Sequence, residues 1–311
     1  MRFAFFGTPR FAADVLDRLI QAGLEPLLVV TQPDAVSKRG RATWPSEVAE
    51  RATEAALPLI KPDDLRDPDL REQLRSLDLD CVVLVAYGRI IPEALLDIPS
   101  HGWINAHASN LPRWRGAAPI QRAILAGDKE TGVSIMRMEE GLDNGQYCVQ
   151  ASVPVAEKDL TQLENELSQL SADLLIAELP KIIAGDVLWW YQNDLYVTYA
   201  DKIRKGELDL DPEQSPQTNI RRVRASSDGA PARFTLISEK GELQIRALEV
   251  EQAECYLWRP QALIGRDELV LACALGQGGF AVTRLQPAGK RPQSAAEFLR
   301  GYRPEGPLSW R

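Results

Sequence analysis

Residues 80–86, Asp-Cys-Val-Val-Leu-Val-Ala, carry no charge after the first position and stay apolar to the last. A run of this length is typical of a strand that is buried on both faces of a sheet. Residues 2–6 (Arg-Phe-Ala-Phe-Phe) and 26–30 (Pro-Leu-Leu-Val-Val) have the same character, and Leu59-Ile60 is a shorter run. We predict a strand at each of these four places.

Helical patterns lie between these strands. The first follows the turn Gly7-Thr8-Pro9 and stops at Gly23, and two more cover 46–56 and 68–77. This alternation predicts an α/β domain with a Rossmann-like, mostly parallel sheet and helices on both faces. In such folds, ligands bind beyond the carboxyl ends of the strands.

Two further elements are predicted in the same domain. Residues 134–138 alternate as a strand does, and 159–184 have the apolar spacing of one long amphipathic helix. Pro180 is expected to kink or restart that helix, because proline removes a backbone donor and clashes with the preceding turn.

A second, smaller domain is predicted after residue 205. The length of 311 residues favours about two domains, and the polar, turn-rich segment 206–218 suits a linker. Closely spaced strand-like runs beyond it favour a small antiparallel barrel or sandwich. These runs are 233–237, 243–250, 269–274 and 279–285. We therefore predict domains at 1–205 and 206–311.

Composition excludes several classes of protein. The net charge of −8 argues, taken alone, against a nucleic-acid partner. No apolar run approaches the length of a membrane span, and Met1 leads directly into the first predicted strand, so we expect no targeting peptide and a cytoplasmic protein. No metal site is expected, because His101 and His107 are the only histidines and no Cys-x-x-Cys pair occurs. The four cysteines are predicted to be free, buried thiols.

The most informative stretch for chemistry is 103–145. Asn105 and His107 are two residues apart, which places both side chains on one face of a strand. An imidazole can move a proton near neutral pH, and an amide can stabilise an oxyanion. Asp143 lies in a glycine-flanked loop and could orient the histidine. The alternative, and the commoner role of such residues taken alone, is that Asn105 and His107 hydrogen-bond a turn and Asp143 is a turn residue.

Residues 103–145 also resemble the signature of the folate-dependent formyltransferases. Leu-Pro-Arg-Trp-Arg-Gly-Ala-Ala-Pro-Ile at 111–120, followed by Gln-Arg-Ala, is similar to the methionyl-tRNA formyltransferase family within them. Further stretches support that family, including one in the predicted second domain. They are Phe5 to Pro9 with Phe11-Ala12, Gln32 to Asp34, Val85 to Gly88 and Leu285 to Lys290.

The resemblance implies roles for particular residues. Asn105, His107 and Asp143 match the catalytic triplet of the family. Two segments match the walls of its pterin pocket, namely Arg89, Ile90 and Ile91, and Glu139, Glu140, Gly141 and Leu142. The implied donor is 10-formyltetrahydrofolate, the implied partner is initiator methionyl-tRNA, and the implied second domain is an OB-like barrel. Oligomeric state is not encoded in these motifs, and a monomer is the default expectation.

Basic residues are the candidates for contacts with tRNA. Lys38, Arg39 and Arg41 surround a glycine after the second strand, in a loop that resembles the family's tRNA-binding insertion. The alternative is a solvated loop. Arg113 and Arg115 flank Trp114, which offers a stacking surface; the alternative is a structural hairpin held by arginine–carboxylate pairs.

Three positions depart from the family pattern. Asn110 stands where leucine is usual, and Arg10 stands where an acidic residue is common. Residues 226–231 (Ser-Ser-Asp-Gly-Ala-Pro) replace the usual Asn-Pro-Trp-Pro-like turn. The departures leave the triplet intact.

Two rival functions remain at this point. A transferase acting on an amino-sugar nucleotide would share the triplet, but the basic loop and the stretch 285–290 disfavour it. An RNA-binding protein on an inactive scaffold would have no need for the triplet. Transfer assays with both acceptors and a folate titration would separate the three.

Overall fold

The computed structural model of the chain describes residues 1–36, 43–255, 257, 259–265, 268–274, 278–302, 304 and 306–311. The predicted tRNA-binding residues Lys38, Arg39 and Arg41 lie outside the described residues. Contacts between Cα atoms divide the chain into two units. The first unit contains Met1–Ile120, Glu130–Pro154 and Gln162–Asp201, and the second contains Gln121–Lys129, Val155–Thr161 and Lys202–Arg311.

The first two-thirds of the chain alternates strands and helices. Its strands are β1 (Phe3–Gly7), β2 (Leu28–Val30), β3 (Ala35–Val36), β4 (Thr43–Trp44), β5 (Leu59–Ile60), β6 (Cys81–Val85), β7 (Trp103–His107), β8 (Arg115–Gly116), β9 (Glu130–Arg137), β10 (Tyr147–Pro154) and β11 (Tyr199–Ala200). Its helices are α1 (Arg10–Gln21), α2 (Glu47–Glu54), α3 (Pro68–Ser76), α4 (Glu93–Leu96), α5 (Pro119–Ala126) and α6 (Leu160–Ala184).

The main sheet has the order β10-β9-β7-β6-β1-β2-β5. Neighbouring strands from β7 to β5 are parallel, whereas β9 and β10 are antiparallel additions at one edge. Every residue of β1 and β6 is buried, as a strand covered on both faces requires. The predicted Rossmann-like, mostly parallel sheet is therefore confirmed.

The helix boundaries follow local capping chemistry. Ser46 accepts a hydrogen bond from the backbone N–H of Ala49 and begins α2. Gly23 adopts a positive φ of 78° directly after α1, the conformation in which glycine ends helices. α6 runs unbroken through Pro180, so the predicted restart there is wrong.

The C-terminal part of the chain is built around an antiparallel sheet. Its strands are β12 (Arg233–Ser238), β13 (Gly241–Ala253), β14 (Ala262–Ile264), β15 (Leu269–Ala272), β16 (Gly279–Pro287), β17 (Gln293–Ser294) and β18 (Ser309–Trp310), and its helices are α7 (Pro216–Arg224) and α8 (Ala295–Gly301). The order is β14-β15-β16-β13-β12-β18, with β17 paired to β16. A bridge from Ala262 to Leu308 nearly closes the sheet into a barrel, as predicted.

The predicted linker at 206–218 is not a free connection. Leu208 and Leu210 are buried in the core of the second unit, where Phe234 and Phe280 meet Trp310 edge-on. α7 already begins at Pro216. Two leucines anchor this otherwise polar segment to the core, and the prediction of a linker is wrong.

Among the described helices, none has the length and apolar character that a membrane crossing requires.

The thiols give a first testable prediction. All four cysteines are free; Cys81, Cys255 and Cys273 are buried and Cys148 is half-buried. Burial raises the pKa of Cys81 to about 12 and those of Cys148 and Cys273 to about 11. Because the thiolate is the reactive form, we expect these three to stay unlabelled by iodoacetamide at pH 8 in the native protein. Mass spectrometry after denaturation should find all four labelled; rapid native labelling of Cys81 would contradict the burial.

Candidate active site

β7 carries two of the predicted catalytic residues. Asn105 and His107 are each 6% exposed. β7 pairs with β6 on one side and with β9 on the other, which fixes Asn105 beside Met136 and His107 beside Ser134. Both side chains reach the loop after β9, as their spacing on one strand face predicts.

Asp143 from that loop meets both of them. Asn105 Nδ2 lies 3.5 Å from Asp143 Oδ1, and His107 Nδ1 lies 3.7 Å from Asp143 Oδ2. The backbone N–H of Gly116 donates to Oδ2 at 2.9 Å. The carboxylate is thus held by one short hydrogen bond, while its contacts to the amide and the imidazole stay long.

The tautomer of His107 follows from its other neighbour. Nε2 lies 2.9 Å from the carbonyl oxygen of Trp114. A carbonyl can only accept, so Nε2 carries the proton of the neutral ring. Nδ1 then faces Asp143 with a free lone pair and can act as a base.

Two residues that shape the site have left-handed backbone conformations. Trp114 has a φ of 64° and Asp143 a φ of 46°, both uncommon for residues with side chains. Gly145 closes the loop where a Cβ would lie 1.9 Å from the carbonyl oxygen of Arg137. Only glycine therefore fits at this position.

The predicted pterin segment after β6 divides into exposed and buried parts. Ile90 is 93% exposed, whereas Ile91 is buried in the core with Tyr87 and Trp103. The Arg89 guanidinium donates to the backbone carbonyls of Pro62 and Asp63 at 3.2 and 2.9 Å. Ile90 is thus the side chain of this segment that is free to meet a ligand, and Arg89 fixes the backbone around it.

The other predicted wall is open to solvent. Glu139, Glu140, Gly141 and Leu142 are all exposed, and the Leu142 side chain is one of the exposed large apolar groups of the first unit. Leu142 lies in the loop after the antiparallel strand β9, and an exposed apolar side chain in such a place suits a flat aromatic ligand such as a pterin.

Arg113 and Arg115 behave differently. Arg113 lies over the Trp114 ring at 4.4 Å. Arg115 is 7% exposed, donates from Nε to Gln192 Oε1 at 2.8 Å and lies 3.6 Å from Asp194. For Arg115 this geometry favours the structural alternative, an arginine–carboxylate pair.

Sequence reasoning missed the segment 190–200, which packs against this site. Gln192 bonds the loop of Asp143, and Thr198 Oγ1 accepts the backbone N–H of Trp114 at 2.9 Å. Neither residue belongs to a recognisable motif or to a periodic pattern. No sequence signal marked them.

In the part of the chain that the structure describes, no group of three or more His, Cys, Asp or Glu side chains could hold a metal ion.

Comparison with known proteins identifies the family of this chain. Residues 1–179 match the family described as formyl transferase, and 202–303 match its C-terminal domain. The chain is 43% identical to the methionyl-tRNA formyltransferase of Halorhodospira halophila over 97% of this chain and 96% of that protein. The chain belongs to the methionyl-tRNA formyltransferase family. The enzyme of that name from Methylococcus capsulatus is 41% identical, with 97% of each chain covered.

Solved structures of more distant formyltransferases share the fold. WlaRD, a sugar 3N-formyl transferase crystallised with dTDP and 5-N-formyl-THF, superposes with a TM-score of 0.66 at 14% identity, covering 94% of this chain and 99% of its own. Phosphoribosylglycinamide formyltransferase from Bacillus halodurans is 27% identical over 59% of this chain and 96% of its own, with a TM-score of 0.50. The family thus shares its fold with transferases that act on small acceptors.

Proposed function

We propose that this protein transfers a formyl group from 10-formyltetrahydrofolate to the amino group of initiator methionyl-tRNA. The observation that carries the proposal is the meeting of Asn105, His107 and Asp143 in a chain that shares 43% of its residues with a methionyl-tRNA formyltransferase. We further propose that it acts in the cytoplasm as a monomer, with a catalytic domain at 1–205 and a tRNA-binding domain at 206–311.

The three side chains divide the chemistry of amine attack between them. The co-substrate supplies an electrophilic formyl carbon. His107 Nδ1 accepts the proton that the attacking amine loses, and Asp143 stabilises the resulting imidazolium. Asn105 Nδ2 donates to the formyl oxygen as negative charge develops there. The proton held by His107 is then available to the nitrogen that leaves, so acid and base are the same group.

The exposed side chains of Ile90 and Leu142 are the proposed apolar contacts of the pterin ring. Arg89 and Ile91 hold the backbone of this wall rather than the ligand. Glu139, Glu140 and Gly141 contribute the opposite wall.

The direct test is an assay of formyl transfer from 10-formyltetrahydrofolate to charged initiator tRNA, in which the formylmethionyl-tRNA that forms is measured. An amino-sugar nucleotide serves as the competing acceptor. Turnover of the sugar nucleotide with none of the charged tRNA would overturn the proposal in favour of the rival acceptor.

We propose that the loop of Lys38, Arg39 and Arg41 contacts tRNA phosphates, since a chain of net charge −8 must bind a polyanion through local basic groups. Arg113, over the Trp114 ring, is the proposed contact near the acceptor end. Arg39→Ala with Arg41→Ala is expected to raise the KM for tRNA and to reduce the slope of its salt dependence by about 1 for each lost phosphate contact.

The KM for the folate donor is the internal control of this double variant and should barely move. The exposed pair Arg71→Ala with Arg75→Ala, on α3, removes the same charge elsewhere. If both double variants weaken tRNA binding equally, only overall charge matters. If folate binding falls instead, the loop belongs to the donor pocket.

A further inference from the structure

Gln192 has a buried side chain whose carboxamide binds the backbone of the loop that carries Asp143. Its Nε2 donates to the backbone carbonyl of Asp143 and to that of Gly145, both at 2.8 Å. Its Oε1 accepts from Arg115 Nε at 2.8 Å. The side chain therefore bridges the loop after β9 to the strand β8.

The orientation of this carboxamide is fixed by its neighbours. An arginine only donates hydrogen bonds and a backbone carbonyl only accepts them, so only one of the two amide orientations satisfies all three contacts. Gln192 uses both N–H groups and one oxygen lone pair within the protein. Buried polar groups that are fully satisfied in this way rigidify what they bind.

The rest of the segment is anchored on both sides of the site. Trp190 exchanges two backbone hydrogen bonds with Tyr147, at 2.9 and 3.1 Å. Thr198 receives the backbone N–H of Trp114, whose carbonyl in turn accepts from His107. β11 pairs with β8 and places Ala200 against Gly116, which donates to Asp143. The segment thus supports the backbone of Trp114 and of Gly116, the two groups that bond His107 and Asp143.

Asp143 needs such support. It adopts a left-handed φ of 46° within the exposed stretch Glu139–Asn144, and its own side chain makes only one short hydrogen bond. A residue in this conformation persists only where its surroundings hold it. The two hydrogen bonds from Gln192 are the contacts that pin its carbonyl and that of Gly145.

We infer that Gln192 is a positioning residue that sets the place of the Asp143 carboxylate relative to His107 and Asn105. The inference rests on the proposed function. Gln192 bonds two backbone carbonyls of the loop and the Arg115 guanidinium. We expect its effect on the reaction to pass through the position of Asp143.

Two substitutions of Gln192 test this. Gln192→Met keeps the volume and removes all three hydrogen bonds; Gln192→Glu keeps the acceptor for Arg115 and removes both donors to the loop. Each is expected to lower kcat by roughly 10–10²-fold, because misplacement of a catalytic group by about 1 Å costs that much. The KM values for folate and tRNA should change less than about twofold.

A double-mutant cycle separates positioning from general loosening of the fold. In an Asp143→Asn background, Gln192→Met is expected to cost nothing further, since the group that it positions is already gone. Gln150→Met is the matched control: Gln150 Nε2 also donates two bonds, but to the Leu111 carbonyl and Ser134 Oγ, at 2.7 and 2.8 Å, rather than to carbonyls of the loop of Asp143. It should lower the Tm while kcat stays within about twofold.

Three outcomes overturn the inference. Normal kcat in Gln192→Met shows that the loop holds Asp143 unaided. A full additional loss in the Asp143→Asn background shows that Gln192 acts by another route. A near-normal kcat in Asp143→Asn alone removes Asp143 from the mechanism, which is a failure of the proposed function and is recognised as such before Gln192 is changed.

Discussion

The His107→Ala chain is expected to fold normally and to lose about 10²–10⁴-fold in kcat, the range for removal of a general acid–base group. The physical reason is the orientation of the ring. With Nε2 donating to the Trp114 carbonyl, Nδ1 is the free base and faces Asp143. Alanine leaves no group in this place that can take the amine proton at neutral pH.

The chain provides its own control for this experiment. His101 is the only other histidine, lies outside β7, and donates its backbone N–H to the Asp80 carbonyl. His101→Ala should therefore keep kcat within about twofold, as expected of a substitution away from the site. Steady-state kinetics with charged tRNA, with the Tm as a check on folding, distinguish the two variants. Near-normal turnover by His107→Ala would remove this residue from the mechanism.

The sheet could be predicted because its signal is local. Cys81–Val85 is buried at every position, and the uninterrupted apolar run that this requires is visible without any knowledge of its neighbours. The same holds for α1, whose apolar residues recur at helical spacing and whose end is marked by Gly23. β9 and the edge strand β10 run antiparallel to their neighbours, and nothing in their own composition sets that direction.

The support of the catalytic loop could not be predicted for the opposite reason. β8 and β11 are two residues long each and lie more than 80 residues apart in the chain. Strands this short show no alternating pattern, and no turn connects them, so the sequence does not predict that they pair. Gln192 follows an aromatic run that by itself indicates only a packed or exposed surface. Its role becomes visible only in the folded structure, where its carboxamide donates hydrogen bonds to the carbonyls of Asp143 and Gly145.

The candidate site could be predicted only in part from the sequence. The two-residue spacing of Asn105 and His107 predicts a shared face, and the structure brings both to Asp143, 36 residues beyond His107 in the sequence. Spacing alone says nothing about a loop so distant, and only the resemblance to the formyltransferases connected it. Arg115 shows the limit of such transfer, because it is buried against Gln192, which lies in a segment that the motif does not contain.

Asn105 is expected to act on the transition state rather than on binding. Its Nδ2 lies 3.5 Å from Asp143 Oδ1, a contact too long to satisfy the amide. The side chain is only 6% exposed, and its amide can donate to a closer acceptor than this carboxylate oxygen. We expect that acceptor to be the formyl oxygen, which would bind the amide most strongly when it carries negative charge in the transition state.

Asn105→Ala should therefore lower kcat by about 10²–10³-fold, the cost of one lost oxyanion donor, and leave both KM values nearly unchanged. Single-turnover formylation measures the chemical step directly. The matched control is Asn110→Leu, which removes an amide whose Nδ2 bonds Ser152 Oγ at 2.9 Å and installs the residue usual in the family; its kcat should stay close to that of the parent chain. A loss carried by KM for either substrate would show that Asn105 holds the ground state, and the oxyanion would then need a different donor.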